Sequence, residues 1–196
     1  MTVELELAEL LRAQSYERAA TLAIATYGPE LYGFLVHLMG GEGPASDVFS
    51  QASEDLWTGL PAFGQRCSMR TWLYLLARHA AARYRRSPWH RDRTGASALD
   101  AAVADARSRT APWLQTEIKD RWRALRDALE PDDRTLLVLR VDRDLAWTEI
   151  ARVMLGEENP SQGELDRESA RLRKRFQLLK TELRERARAA GLVSDD

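Results

Sequence analysis

The apolar residues of this chain recur almost everywhere with the 3.6-residue period of a helix, and no segment shows the strict apolar and polar alternation of a strand. That feature restricts the chain to an all-α fold, in which each helix must bury its apolar stripe against another. Tyr16, Ala20, Ala23, Tyr27, Leu31, Phe34 and Leu38 predict one long helix, kinked or interrupted near Gly28 and Pro29 and ended by Gly40 and Gly41. Pro44 suits the first turn of the next helix, whose inner face is Val48, Phe49, Ala52 and Leu56. Asp47, Ser50, Gln51 and Glu54 fall at i, i+3, i+4 and i+7 on its outer face, free for a partner. After the loop TGLPAFGQRC, Ser68 is the expected N-cap of a helix reaching about Arg86. Trp72, Leu76, Ala80 and Tyr84 point inward there, and Arg70, Arg78, His79, Arg83 and Arg85 stand outside or flank the stripe.

Periodicity weakens from Ser87 to about Gln115, where two prolines, a glycine and scattered charges read as a linker docked in part through Trp89 and Trp113. Two small helical domains are therefore expected, residues 1–88 and 116–196, joined by residues 89–115. In the second, Ile118, Trp122, Leu125 and Leu129 define a helix that stops at Pro131, and Leu136, Leu137, Leu139 and Val141 belong to the next. A short helix, AWTEIARVML, follows. A polar connection, GEENPSQGELD, leads to a long final helix with Leu172, Phe176, Leu179 and Leu183 inside. Trp57, Trp72 and Trp122 lie on apolar stripes and are expected in the core.

The net charge of −1 conceals an uneven distribution. Residues 1–60 hold nine acids against two arginines, residues 66–93 eight arginines against Asp92, and residues 167–190 nine Lys or Arg against three glutamates. Two basic islands in an otherwise acidic chain suggest two contacts with a polyanion such as DNA; the plainer alternative is two solvated helix faces. One cysteine, Cys67, rules out an internal disulfide framework or a multi-cysteine zinc site, and three scattered histidines offer no metal-ligand spacing. There is no Glu-x-x-His pairing, GxSxG or phosphate loop. No metal, cofactor or enzymatic activity is expected. The start MTVELELAEL has no signal-peptide character, and no stretch approaches a membrane span, so a cytoplasmic location without membrane insertion is expected.

A short helix containing Ile150 and small Ala151, then a turn, then a basic helix, has the pattern of a helix-turn-helix. In that motif the second helix enters the major groove, and Arg171, Arg173, Lys174, Arg175 and Gln177 are the donors placed to reach phosphates and base edges.

The stretch from Tyr27 to Pro88 resembles region 2 of the extracytoplasmic-function sigma factors. The resemblance rests on Asp47 through Trp57, the Leu-Pro-x-Phe loop at Leu60 to Phe63, and Arg70-Thr71-Trp72 followed by Ala77-Arg78. LEPDDRTLLVLRVDRDLAWTEIARVML is similar to the start of region 4. The resemblance implies three jobs. Asp47, Ser50, Gln51 and Glu54 would meet the clamp helices of the large subunit of core RNA polymerase. The loop carrying Phe63, Gln65, Arg66 and Ser68 would take an unstacked base of the −10 element, with Arg78, His79 and Arg83 holding phosphates or neighbouring bases. The final helix would read the −35 element of promoter DNA as duplex. An anti-sigma factor is a further partner that the resemblance allows.

The chain departs from the family at Ser50, where Gln is usual, and at Gln51, which takes the usual Glu position. Ala146 stands where a capping Ser is common, an expected cost of about 1 kcal/mol unless the helix starts later and Thr148 caps it. The connection between the last two helices is about ten residues longer than the family's turn; its acids Glu157, Glu158, Glu164 and Asp166 suggest docking on a partner or repulsion of DNA. The alternative reading is a helix-turn-helix regulator with a helical sensing or dimerisation domain, which leaves the first basic helix and the Leu-Pro-x-Phe loop without a purpose. A pure interaction adaptor is the remaining option, marked by an absence of salt-sensitive DNA binding.

Overall fold

The computed structural model describes residues 2–87, 124–126 and 128–192. Every regular element among them is helical: the α-helices α1 (Val3–Arg12), α2 (Tyr16–Met39), α3 (Glu42–Gly59), α4 (Met69–Arg86), α5 (Pro131–Leu137), α6 (Trp147–Leu155) and α7 (Gln162–Ala189), with a 3-10 turn at Leu60–Ala62 and a π-turn at Val138–Asp142. The expected linker, with Trp89 and Trp113, lies outside the described residues, as do Ile118 and Trp122 of the helix expected before Pro131.

Local chemistry sets most helix ends. Ser68 caps α4 by accepting from the Thr71 amide at 3.1 Å. Gly40 ends α2 and Gly156 ends α6 in the left-handed conformation, with φ of 75° and 71°. Pro131 opens α5, where its missing N–H costs nothing. Two expectations change. Pro29 lies inside α2, which runs unbroken past it. The helix from Trp147 starts where the plain pattern places it, with Ala146 as N-cap, so Thr148 caps nothing. Ala146 has no side-chain oxygen to offer, and only half of a capping box forms: Glu149 Oε2 accepts from the Ala146 amide at 3.0 Å.

α4 is the hub. Leu73, Leu75, Ala77, Ala80 and Ala81 are all at most 1% exposed, and Thr71, Trp72, Tyr74 and Leu76 are also buried, so its first turns are enclosed on every side. α2 and α3 cover one side, with Phe34 edge-on to Tyr74 at 5.2 Å between centroids, and α6 of the C-terminal half covers another. α5, α6 and α7 share a second focus around Leu136, Leu139, Ile150, Ala151, Leu172 and Leu179. Ala151, fully buried, leaves room for the crossing of α6 and α7.

The long polar connection also resolves differently from the expectation. Residues 156–161 alone are the turn; Gln162–Asp166 are the opening of α7. Ser161 caps that extension with Glu164, whose Oε2 accepts from the Ser161 amide at 2.8 Å and hydroxyl at 2.6 Å.

Candidate nucleic-acid interface

The outer face of α3 stands in solvent: Asp47, Ser50, Gln51 and Glu54 are all exposed. The Ser50 hydroxyl donates to the Ser46 carbonyl of its own helix at 3.0 Å, and the Gln51 amide lies 3.5 Å from Glu54 Oε2. Trp57, one turn beyond Glu54, is 52% exposed. The core position expected for it is therefore incorrect. The inner stripe of α3 closes with Leu56, and the next residue is turned outward beside the polar face.

The loop after α3 holds a cavity of about 180 Å3 whose walls include Phe63, Arg66, Cys67 and Trp72. Phe63 stacks on Trp72 with centroids 4.4 Å apart and planes 18° from parallel. Gln65 and Arg66 are exposed, and Gln65 has a left-handed backbone with φ of 52°. Burial pushes the Cys67 thiol above its ordinary pKa, which keeps it protonated and argues against a reactive thiolate.

Along α4 the expected DNA contacts are divided. Ser68 and Thr71, at the helix start, both donate to Glu149 Oε1 of α6, at 3.2 and 2.7 Å. Arg78 Nη2 donates to Asp132 at 3.0 Å and its Nη1 lies 3.3 Å from the Met154 sulfur. His79 Nε2 lies 2.8 Å from the Gly156 carbonyl. Arg83 pairs with Asp55 of α3, Arg85 donates to the Leu38 carbonyl at 2.8 Å, and Arg70 grips Glu30 through two bonds of 2.6 and 2.9 Å.

On α7, Arg171, Arg173, Lys174, Arg175 and Gln177 are all exposed, around the buried Leu172, Phe176 and Leu179. Arg171 pairs with Glu168 at 2.6 Å, and Arg175 pairs with the buried Asp133 of α5. Arg173 sits 5.9 Å from the Trp147 ring centroid, and neither it nor Lys174 forms an ion pair with another described residue.

Two positioning groups escape sequence reading. Glu4 of α1 reaches across to the start of α4, accepting from the amides of Met69 at 2.9 Å and Arg70 at 3.2 Å, and also from the Tyr27 hydroxyl at 2.7 Å. Glu149 divides its carboxylate between the amide that begins α6 and the hydroxyls that begin α4. Glu149 carried a legible signal, as N3 of α6; Glu4, 65 residues from the amide it caps, carried none. Among the described residues, no group of His, Cys, Asp and Glu is placed to hold a metal ion, and no helix is long and apolar enough to cross a membrane.

Residues 23–91, which take in most of α2 and all of α3 and α4 with the capped start and the stacked Phe63–Trp72 corner, match the family model for sigma-70 region 2. The RNA polymerase sigma-H factor of Pseudomonas aeruginosa is 31% identical over 147 residues, spanning 70% of this chain and 76% of that protein. This chain belongs to the sigma-70 family of RNA polymerase sigma factors. It is a transcription initiation factor, and the family's partners are core RNA polymerase and promoter DNA.

Proposed function

We propose that this is an alternative sigma factor of the extracytoplasmic-function type, acting without catalysis of its own in the cytoplasm. In this reading α3 docks through Asp47, Ser50, Gln51 and Glu54 on the clamp helices of core polymerase, where acidic and amide groups meet basic and polar ones. The loop and α4 take the melted −10 strand through Phe63, Gln65, Arg66, Ser68, Arg78, His79 and Arg83. Arg171, Arg173, Lys174, Arg175 and Gln177 of α7 take the −35 duplex. An anti-sigma factor that covers these surfaces is a further partner in this reading.

The observation that carries it is the neighbourhood of α3 and α4: a solvent-facing polar stripe on one helix, and beside it a cavity walled by Phe63, Trp72 and Arg66. Aromatic faces and a guanidinium are the groups that compensate a base for lost stacking. On α7, an Arg and a Lys without ion-pair partners among the described residues supply the donors that duplex recognition needs.

The test is transcription by purified core polymerase on fragmented genomic DNA of the source organism, with and without the protein, followed by mapping of transcript starts. New starts sharing two spaced upstream motifs are expected, weakened by Arg78→Ala or Arg173→Ala. No new starts, together with no co-elution with core polymerase, would overturn the reading.

A further inference from the structure

An α-helix leaves its first amides without partners in its own ladder, and at the start of α4 side chains take them. The Thr71 amide donates to the Ser68 hydroxyl at 3.1 Å, while the amides of Met69 and Arg70 donate to the carboxylate oxygens of Glu4 at 2.9 and 3.2 Å. Glu4 is itself held by the Tyr27 hydroxyl of α2 at 2.7 Å; burial together with that bond raises the Tyr27 pKa, so the phenol keeps its proton and donates. Glu30, also of α2, fixes the Arg70 side chain. α1, which brings Glu4, precedes the residues matched to sigma-70 region 2.

The start of α4 carries one wall of the cavity. Trp72 follows the capped turn, stacks on Phe63, and is wedged against Gly59, where an added Cβ would lie 3.1 Å from the ring. Cys67, on the same wall, stands directly before the Ser68 cap. A small displacement of the helix start therefore either parts the stack or drives Trp72 into Gly59, because the ring has no room to adjust by itself. The loop from Phe63 to Ser68 is fixed at one end by that stack and at the other by the capped amides.

We infer that Glu4 is a positioning residue for promoter opening: from α1 it fixes the start of α4, and through Trp72 and the end of the loop it sets the width of the cavity that takes the unstacked −10 base. This rests on the −10 assignment proposed above. A pocket that must compensate a base for lost stacking works only if its walls keep their places to within about 0.5 Å. Glu4 suits that task, since charge-assisted hydrogen bonds are roughly twice as strong as neutral ones and its carboxylate faces the positive end of the α4 dipole. The α3 face and the α7 donors lie on other helices, so polymerase docking and duplex binding are not expected to depend on it.

The test uses holoenzyme assembled from core polymerase and the full chain, with the labelled single-stranded non-template −10 segment of a promoter mapped in the transcription experiment as probe. Glu4→Ala is expected to weaken probe binding about tenfold, with affinity for core polymerase and for a duplex −35 fragment unchanged. Glu4→Gln keeps the size but has one acceptor oxygen, and a several-fold loss is expected; it decides the matter if the alanine variant does not fold. Cys67 is the only cysteine in the chain, so its rate of reaction with an aromatic disulfide reagent in the free protein reports on the loop directly. That rate should rise several-fold in both Glu4 variants. Leu38→Ala removes buried packing where Arg85 meets α2, at the far end of α4, and serves as the control for general loss of stability. It should leave probe binding and the Cys67 rate as in the wild type. Wild-type probe binding or an unchanged Cys67 rate in the Glu4 variants would overturn the inference, as would an equal loss of probe and core binding, or a Leu38→Ala protein that behaves as Glu4→Ala does. If the wild-type holoenzyme itself does not take the probe, the −10 assignment fails, while the Cys67 rate still shows whether Glu4 fixes the loop.

Discussion

The two basic helices are both rich in arginine and have opposite surroundings. α4 lies in the middle of the molecule, and its cations are engaged in it: Arg70 with Glu30, Arg78 with Asp132, Arg83 with Asp55, Arg85 with the Leu38 carbonyl. α7 packs through a single stripe, and Arg173, Lys174 and Gln177 face solvent. A count of arginines therefore measures the potential available to a helix, whereas its position in the packing decides how much of that potential a polyanion meets. On the proposed reading α7 offers its charge to DNA at once, whereas α4 would first exchange internal partners for external ones.

The comparison can be broken at its packing first. Leu75→Ala, at a fully buried site on α4, is expected to cost about 3 kcal/mol, against less than about 0.5 kcal/mol for Leu178→Ala, at a 55% exposed site on α7. Urea denaturation of the two variants reads the difference, and equal costs would show that α4 is not the hub.

Arg70→Ala comes next. It strands a Glu30 carboxylate whose side chain is only 23% exposed, so a loss of about 2 kcal/mol in stability is expected, below that for a wholly buried pair. Arg173→Ala should leave stability unchanged while reducing promoter binding and lowering the salt slope by about one counterion. Denaturation and salt titration together separate the structural arginine from the one proposed to read DNA.

Trp57→Ala extends the comparison to α3. With 52% of its surface exposed, the ring is not expected to hold the fold, and if α3 docks on polymerase as proposed, its position beside Glu54 would make it an anchor there. About tenfold weaker binding of core polymerase, with less than about 0.5 kcal/mol change in stability, is the expected result. Loss of stability with intact polymerase binding would return Trp57 to a packing role.

The smallest effect concerns pH. Hydrogen bonds from Ser161 hold the Glu164 carboxyl below its usual pKa. A carboxylate whose folded pKa is depressed adds stability above its unfolded pKa, and that increment disappears as pH falls through the folded value. Glu164→Gln should therefore narrow the gap from the wild type under acid conditions, as measured by thermal denaturation across the acidic range. An identical pH profile for the two proteins would show that the cap is not formed in solution.

Much of the fold was legible because helix signals are local. The apolar stripes of α2 and α3, the Ser68 cap, the glycine after α2 and the proline at the start of α5 each involve residues within one or two turns of one another. The exposed stripe Asp47, Ser50, Gln51 and Glu54 followed from the same periodicity. Trp57 was misplaced by that logic, since a tryptophan adjoining an apolar stripe reads as core until the neighbouring helices are in place. The long polar connection hides a helix start because its charges mask the periodicity; Ser161 and Glu164 begin a helix within it.

By itself, then, the amino-acid sequence determined an all-helical chain, its main helix starts and stops, the two basic islands and the family they belong to, because each depends on short-range periodicity or residue order. Tertiary structure decided which cations remain unpaired, brought Glu4 and Glu149 to the start of α4, and set Glu158 and Asn159 against the cavity beside Trp72. Those outcomes join groups tens of residues apart, and the packing of whole helices determines which of them meet.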